Sequence, residues 1–526
     1  MHRRFGTGSH RLLTPLLLGV ALTLGLACSS SNNNSNKSSG AATATKAAAS
    51  APAGTIAPAS GAVSATAPAS AAAGSSATAA SSSPAAGGSP TTGGNVTVTP
   101  GVVAADKALA AAAGSGSAID NVTISKPVTI TFWHTQPLDG PNGKKLTSLI
   151  QDFQTKNPNI QIDAQYVGNY NDLFQKLETA IAGGQAPDMA VAYPNQVAEY
   201  QQANVIIPLD DYVKSQKYGL PKDDYADILQ AYRYDNFYPA NDNKLLSFPF
   251  TKSIELMYYN ADALKAAGVD VPQTWDDFLK AAKAVAKGDM KGYAIGVEPS
   301  LFANMIFSRG GQEISDDQKK WVFNNQQGVD SLAFFQQIIK DGSGYQVAKQ
   351  FADQTDFGNA KAAFAFSTSA GLPYYQQEVQ NDGKGFAWNV AAPPHAAGQP
   401  TAAVINGADI TMFKSSPEKQ LAAWLFMKYF SSKEVNPDWS IASGYLPIRT
   451  SGLTDPRVQA QVQKLPQYAI ALQVQQYGRS EPAVRSYQTT RNHISDAIVA
   501  ALSDANKSAK QLLDDAVKQS NDDAAK

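Results

Sequence analysis

Residues 127–203 alternate between a strand-like and a helix-like hydrophobic pattern, and this alternation restricts the possible fold more than any other feature. The segment PVTITFWH has the β-branched and aromatic content of a strand. Leu146, Leu149, Ile150 and Phe153 then recur at helical spacing. A second strand and helix, the strand DMAVAY and a third helix follow in that order. A β-α-β-α-β order predicts an α/β fold built on a mainly parallel sheet flanked by helices.

The ends of these three predicted strands carry aromatic and amide side chains. The strands end at Trp133-His134, at Asn169-Tyr170 and at Tyr193-Pro194-Asn195. In open α/β sheets, ligands bind beyond the carboxyl ends of the strands. Three aromatic residues at three such ends indicate a recognition surface more than a catalytic one.

The folded body is predicted to run from about Lys126, and its length favours two lobes. Some 390 residues are more than one hydrophobic core usually serves. A second alternation of strand and helix patterns begins with IELMYYN and continues through FLKAAKAVAK, YAIGV and AAFAFS. We therefore expect a second lobe of the same α/β kind.

The N-terminal region has the pattern of an exported and anchored chain. A basic stretch, MHRRFGTGSHR, precedes an apolar one, and Cys28 is the only cysteine in 526 residues. This order predicts a signal peptide over residues 1–27 and lipidation of Cys28, although an ordinary cleaved signal with an incidental cysteine is the alternative. Residues 28–125 are dominated by Ala, Ser, Thr, Gly and Pro, so we expect a disordered tether. The expected location is extracytoplasmic, at a cell surface or in a periplasm.

Charge and motif content argue against several functional classes. The chain has 43 basic and 44 acidic side chains, without a charge run that would suggest nucleic acid. Its five histidines lack metal-ligand spacing, and no nucleophile-elbow or phosphate-loop motif is present. We expect no cofactor, no metal and no catalytic residues, and we expect a monomer.

Several longer segments together resemble family 1 extracellular solute-binding proteins, the sugar-binding subunits of ABC importers. They are ITFWHTQ, LTSLIQDFQTKNPNIQIDAQYVGNYNDLFQKLETAIAGGQAPDMAVAY, FPFTKSIELMYYNADALKAAGVD, PQTWDDFLKAAKAV, FGNAKAAFAFSTSAG, INGADITMF and WSIASGYLPIRTS. The resemblance covers roughly residues 128 to 515. GNY, PFTKS and SGYLPI are most similar to the glycerol-3-phosphate-binding type.

The resemblance implies a periplasmic-binding-protein-like fold, in which two lobes close on a ligand about hinge segments. The solute-binding domain would span residues 126–526. Lobe 1 would comprise about 126–250 and 405–436, and lobe 2 about 256–402 and 446–515. The chain would cross between them near 250–255, 402–410 and 436–446.

The resemblance also implies a set of ligand-binding residues. Together with Trp133 and Tyr193 from the strand ends, the candidates are Tyr170, Ser253, Ser367, Ser369, Gly407, Tyr445 and Arg485. Thr368 lies in the same hydroxyl-bearing segment as two of them, and Arg479 or Arg491 could replace Arg485 as the cationic position. An arginine fork suits a phosphate or carboxylate.

Two departures from the family pattern bear on the ligand. Pro194 stands where the family has an acidic residue, and residues 297–300 replace a pair of tryptophans found in the glycerol-3-phosphate type. A neutral sugar stacked on aromatic rings is therefore as tenable as a phosphorylated polyol. We expect a carbohydrate-binding lipoprotein that serves an ABC permease. An extracellular carbohydrate-active enzyme or a ligand-sensing lipoprotein on the same body is the alternative.

Overall fold

A computed structural model describes residues 99–381 and 385–526. The predicted signal peptide, Cys28 and most of the predicted tether lie outside the described residues. The described strands are β1 (Val128–His134), β2 (Ile160–Tyr166), β3 (Met189–Ala192), β4 (Phe237–Tyr238), β5 (Lys244–Leu245), β6 (Ser247–Pro249), β7 (Ser253–Asn260), β8 (Lys291–Ile295), β9 (Gly344–Gln346), β10 (Ala362–Thr368), β11 (Trp388–Ala391), β12 (Ala403–Asn406), β13 (Asp409–Met412) and β14 (Gly478–Arg479).

Helices connect most of these strands. The α-helices of the described residues are α1 (Pro100–Ala112), α2 (Pro141–Lys156), α3 (Tyr170–Ala182), α4 (Pro194–Gln202), α5 (Asp210–Lys214), α6 (Lys222–Asp227), α7 (Gln230–Tyr234), α8 (Ala261–Ala267), α9 (Trp275–Val285), α10 (Pro299–Phe307), α11 (Gln326–Lys340), α12 (Ala352–Gly358), α13 (Leu372–Asn381), α14 (Pro417–Phe430), α15 (Asn436–Ser443), α16 (Pro456–Lys464), α17 (Pro466–Val474), α18 (Tyr487–Ser503) and α19 (Ala509–Ala524). Short 3-10 turns lie at Ala118–Asn121, Pro239–Asn241, Ser369–Gly371, Ser451–Thr454 and Gln475–Tyr477.

Lobe 1 is built on a five-stranded sheet in the order β2-β1-β3-β13-β6. β1 runs parallel to β2 and β3, while β13 is antiparallel to both β3 and β6. Only β13 therefore runs against the other strands. The predicted apolar stripe of α2 is buried at Leu146, Leu149, Ile150 and Phe153, because a helix in this architecture must cover the sheet with one face.

Lobe 2 is built on a seven-stranded sheet in which β7 runs against its neighbours. The order is β14-β12-β7-β10-β8-β9, and β11 pairs with the far end of β7. Successive side chains of β7 serve different cores: Met257 packs in one apolar cluster, and Leu256 and Tyr258 pack in another. Such alternation is the two-residue period of a strand covered on both faces. The predicted two-lobed, mainly parallel α/β fold is confirmed.

The chain crosses between the two sheets three times. It passes from β6 to β7 at residues 250–252 and returns between β12 and β13 at 407–408. After α15, whose Trp439 is in the lobe 1 core, Leu446 enters a core of lobe 2. These crossings lie within the predicted intervals. The sheets place residues 405–406 in lobe 2 and not in lobe 1, since they pair with β7.

Hydrogen bonds tie the three crossings together. The Thr251 amide donates to the Ala408 carbonyl at 2.9 Å, and the Leu446 amide donates to the Lys252 carbonyl at 2.7 Å. Gly407 has φ of +100°, and a Cβ there would lie 2.1 Å from the Thr251 carbonyl oxygen. A side chain at this position would therefore be strained and would push two crossings apart.

The folded part begins before residue 126, so the predicted tether is too long at its C-terminal end. Helix α1 packs on lobe 1 with Val102, Leu109 and Ala113 in the core. Its buried Asp106 accepts hydrogen bonds from Arg233 at 2.8 and 3.0 Å and from the Tyr225 hydroxyl at 2.9 Å. The alanine-rich composition concealed these anchors. At the other end, α19 continues lobe 2 past the predicted residue 515, and within the described ranges no helix is long and apolar enough to cross a membrane.

Candidate ligand-binding cleft

A cavity lies between the lobes, where the carboxyl ends of β3 and β12 face each other. It contains about 280 Å³ of space free of protein atoms, part of it open to solvent. Its lining residues come from both lobes and from a crossing: Tyr193, Pro194, Asn195, Asp235, Ile405, Gly407, Glu481 and Pro482.

Three predicted tyrosines meet at the lobe 1 side of this cavity. Tyr170 begins α3, Tyr193 precedes α4, and their ring centroids lie 4.6 Å apart. Tyr445 stacks on Trp439 with centroids 6.2 Å apart and planes 11° apart. Burial, followed by the neighbouring Tyr170 and Tyr193 phenols, raises the pKa of Tyr445 well above its ordinary value. The structure therefore supplies a neutral aromatic surface here.

Asn195 adds an unused hydrogen-bond donor to the same wall. It lines the cavity from the first turn of α4, and its side chain is 7% exposed. Its side-chain nitrogen has no hydrogen-bond partner among the described residues. A buried donor left unpaired costs roughly 1–3 kcal/mol, so a solute oxygen is the kind of partner that would compensate it.

A buried lysine lies behind the cavity, and the sequence analysis did not single it out. Lys252 bonds to Asp235 at 2.7 Å and to Asp409 at 2.9 Å, and its side chain is fully buried. Burial alone would lower the pKa of Lys252, but the two carboxylates outweigh it and raise that pKa. This triad joins two crossings to α7. Its sequence signal was the lysine within PFTKS.

The lobe 2 wall carries an ionic group that includes Arg491, one of the alternative cationic positions. Arg491 donates to Glu481 at 2.6 Å, to Glu298 at 2.7 Å and to the Ser300 hydroxyl at 2.8 Å. Burial opposes its charge, but Glu481 and Glu298 raise the pKa of Arg491. Glu298 and Ser300 fall in the segment that replaces the family's tryptophan pair, which was the available sequence signal. We call Arg491, Glu298 and Glu481 the Arg491 cluster.

Two further carboxyl groups surround the Arg491 cluster. Burial, reinforced by Glu298, Glu481 and Asp353, raises the pKa of Glu255 to about 8. Burial and then Glu481 raise the pKa of Glu313 to about 8, and the Tyr487 hydroxyl oxygen lies 3.0 Å from Glu313 and 2.8 Å from Glu481. Both groups therefore hold their protons near neutral pH.

The structure places the other predicted residues outside the cavity lining. Trp133 is 9% exposed in the lobe 1 core, with the Lys176 amine 4.1 Å from its ring centroid. Ser253 and Ser369 are buried at the crossing, where the Ser369 hydroxyl accepts the Ile254 amide at 3.3 Å.

Ser367 is partly buried on β10, in register with Leu256 of β7. Arg485 is exposed, 3.8 Å from Glu199. The next residue, Ser486, has φ of +72° and caps the N-terminus of α18. The guanidinium carbon of Arg479, on β14, lies 4.6 Å from the Phe307 ring centroid.

The two lobes touch at the mouth of the cleft. The Ser486 amide donates to Glu199 of α4 at 3.0 Å. The Gln488 amide donates to Asn171 of α3 at 3.4 Å. These contacts hold α18 of lobe 2 against two helices of lobe 1. The two lobes are therefore in contact at the mouth of the cleft in this structure.

Two α/β lobes joined by three crossings, with a recognition cavity between their strand ends, define a two-lobed ligand-binding protein. In the described part of the chain, no three histidine, cysteine, aspartate or glutamate side chains are arranged to hold a metal ion. Residues 148–468 match the model of the family described as "Bacterial extracellular solute-binding protein". The chain belongs to this family, whose members bind solutes and are not enzymes.

Curated relatives and solved structures agree with this membership. The sn-glycerol-3-phosphate-binding periplasmic protein UgpB of Escherichia coli strain K12 is 27% identical over 353 residues, which are 64% of this chain and 78% of that one. UgpB from Mycobacterium tuberculosis, in complex with glycerophosphocholine, superposes with a TM-score of 0.65 at 19% identity, covering 75% of this chain and 98% of that one. The cyclic alpha-maltosyl-1,6-maltose binding protein from Arthrobacter globiformis gives 0.64 at 20% identity, covering 76% and 99%. At these identities the two structures establish the fold.

Proposed function

We propose that this protein captures a carbohydrate-type solute between its lobes and delivers it to an ABC permease from a lipid anchor at Cys28. The solute would be a sugar, an oligosaccharide or a glycerol-phosphate-like polyol. The observation that carries the capture step is the interlobe cavity, where tyrosine rings and the unpaired Asn195 amide come together. The relatives named above bind sn-glycerol-3-phosphate, glycerophosphocholine and a cyclic maltosyl-maltose, and all three ligands carry hydroxyl groups.

The geometry gives each wall a task in binding. The Tyr193 ring offers an apolar face for the C–H surface of a sugar, and the Asn195 amide donates to a solute oxygen. Glu481 and Asp235, which also line the cavity, accept from solute hydroxyl groups. The contacts of Ser486 with Glu199 and of Gln488 with Asn171 favour the closed state, and a solute that binds this state better increases its population.

The capture step is tested by thermal-shift titration of the purified full-length protein against sugars, polyols and their phosphate esters. Stabilisation should grow with solute concentration, because a ligand that binds only the folded state raises Tm by mass action. Tyr193→Ala should remove the response. Tyr374→Ala, which changes an exposed tyrosine outside the cavity lining, should keep it. Absence of any response, or hydrolysis of a glycoside, would contradict the proposal.

The anchor and the permease are tested in cells. Cys28→Ser should move the protein from the membrane fraction to the soluble fraction. Deletion of the gene should abolish uptake of the solute found in the titration, and the wild-type gene should restore it. Normal uptake together with loss of a solute-induced transcriptional response would instead identify a sensing lipoprotein.

A further inference from the structure

The guanidinium group of Arg491, which bonds to the lining residue Glu481, is already occupied. Arg491 lies on α18 with its side chain one-fifth exposed, and both of its terminal nitrogens donate to carboxylates. One bonds to Glu298 and the other to Glu481 and to the Ser300 hydroxyl. The two terminal nitrogens that could bind a phosphate or a carboxylate therefore already donate hydrogen bonds within the protein.

The Arg491 cluster has more negative than positive charge. One guanidinium faces two carboxylates, which leaves a net charge of −1 even with Glu255 and Glu313 in their protonated forms. Glu481 is itself part of the cavity lining. An anion entering the cavity would therefore meet a carboxylate before it could reach the guanidinium.

On the opposite side of the cavity, a different set of residues has the same ratio of one cation to two carboxylates. Lys252 is held between Asp235 and Asp409, so this triad also contains two carboxylates and one cation. Asp235 lines the cavity, whereas the lysine side chain is fully buried. Lys252 and Arg491 are thus each enclosed by acidic partners, and among the described lining residues there is no lysine or arginine.

We propose that the cleft selects an uncharged polyhydroxylated solute and rejects phosphate monoesters and other anions, with Glu298 and Glu481 as the specificity-determining residues because they occupy Arg491. The inference rests on the proposed capture of a solute in this cleft and narrows its class. The unpaired Asn195 amide and the tyrosine rings bind hydroxyl-bearing rings without requiring a charge. A dianion would lose its hydration and gain no free cation in return.

The test uses anions as probes, so it does not depend on knowing the natural solute. The full-length wild type and the double variant Glu298→Gln/Glu481→Gln are titrated with inorganic phosphate and with glycerol 3-phosphate. Binding is followed by calorimetry and by Tm. The amides keep the shape of the carboxylates but release the charge of Arg491. Asp438→Asn is the matched control, because it removes a carboxylate from an exposed pair with Arg457 outside the cavity.

We expect no response of the wild type or of Asp438→Asn to either anion, and roughly 10- to 100-fold tighter anion binding by the double variant. Anion binding by the wild type would overturn the inference. A double variant as unresponsive as the wild type would also overturn it, because Glu298 and Glu481 would then not be what excludes anions.

Single variants and the solute panel cover the two remaining outcomes. If the double variant does not fold, as judged by circular dichroism, the single variants Glu298→Gln and Glu481→Gln carry the same comparison with smaller expected gains. The solute panel distinguishes failure of the proposed function from failure of the selectivity. A wild type that binds neither uncharged sugars nor esters contradicts solute capture. A wild type that binds esters contradicts only the selectivity.

Discussion

The two walls of the cleft differ in chemistry, although each is formed at the strand ends of the same kind of α/β lobe. The lobe 1 wall presents the ring of Tyr193, packed against that of Tyr170, and the unpaired amide of Asn195. The lobe 2 wall presents the Arg491 cluster. In the proposed function, the two similar scaffolds divide recognition between them, with stacking and hydroxyl bonding on one wall and charge selection on the other.

The largest difference between the walls should appear in how stability depends on pH. Glu255 lies beside the lobe 2 wall with its pKa raised to about 8 from the ordinary 4.5. Between these values the folded state holds a proton that the unfolded state has lost, so raising the pH lowers the free energy of unfolding. The contribution is complete below pH 4.5 and is lost as the pH rises through 8, and its size is roughly 5 kcal/mol.

Glu255→Gln should therefore flatten this decline. Urea denaturation of wild type and variant at pH 5 and pH 8 measures the difference. Glu313 contributes its own slope to both proteins and cancels in the comparison. Parallel declines in the two proteins would show that Glu255 is ionised in the fold.

Replacing Arg491 in the lobe 2 wall should lower the free energy of unfolding of the protein. Arg491→Met leaves Glu481, whose side chain is 16% exposed, without its cation, and an uncompensated charge at such a site costs about 3 kcal/mol; Glu298, 43% exposed, adds little. Denaturant unfolding measures this loss. Arg457→Met, at an exposed pair between α16 and α15, is the control and should change stability by less than about 1 kcal/mol. Equal effects of the two substitutions would mean that the Arg491 cluster behaves as a surface pair.

Substitution on the lobe 1 wall should change binding more than stability. Tyr193→Ala removes a ring that lines the cavity, and we expect affinity for the solute to fall by about tenfold or more. Isothermal titration with the solute identified by thermal shift measures the change. Unaltered affinity would indicate that the solute stacks on Tyr170 or Tyr445 instead. It would also weaken the proposed division of recognition between the two walls.

The smallest effect should come from the contact that joins the lobes at the mouth. Glu199→Gln weakens the bond from the Ser486 amide and the 3.8 Å pair with Arg485, both partly exposed. We expect a loss of less than about 1 kcal/mol in the preference for the closed state, hence at most about fivefold weaker binding. Small-angle scattering with and without solute would detect the altered closure. A larger loss than that of Tyr193→Ala would place the selectivity at the mouth.

The sequence predicts the fold well because hydrophobic period and strand ends are local properties. The α2 stripe follows from it and is buried as expected, and Tyr193 directly follows β3. Tyr170 begins α3, after β2 has ended at Tyr166, and the intervals of the three crossings follow from the family resemblance. Trp133 shows the limit of such reasoning. Its strand is correct, but periodicity does not reveal that a helix with Lys176 covers that face.

The choice among the arginines could not be made from the sequence. Arg485 and Arg491 are six residues apart, and the positive φ of Ser486 turns the chain between them. One side chain therefore reaches solvent beside Glu199, and the other reaches Glu298 and Glu481. Pairing of this kind depends on segments nearly 200 residues apart in the chain, as with the bond from Arg491 to Glu298.

Helix α1 attaches the N-terminal end of the described residues to lobe 1. Its core contacts and the pairing of Asp106 with Arg233 fasten the first described residues to lobe 1. Any pull transmitted along the polypeptide from before Thr99 consequently enters lobe 1 first. With the proposed anchor at Cys28 and the proposed closure, lobe 1 would be the lobe held in place, and lobe 2, which carries the Arg491 cluster, would be the lobe that moves.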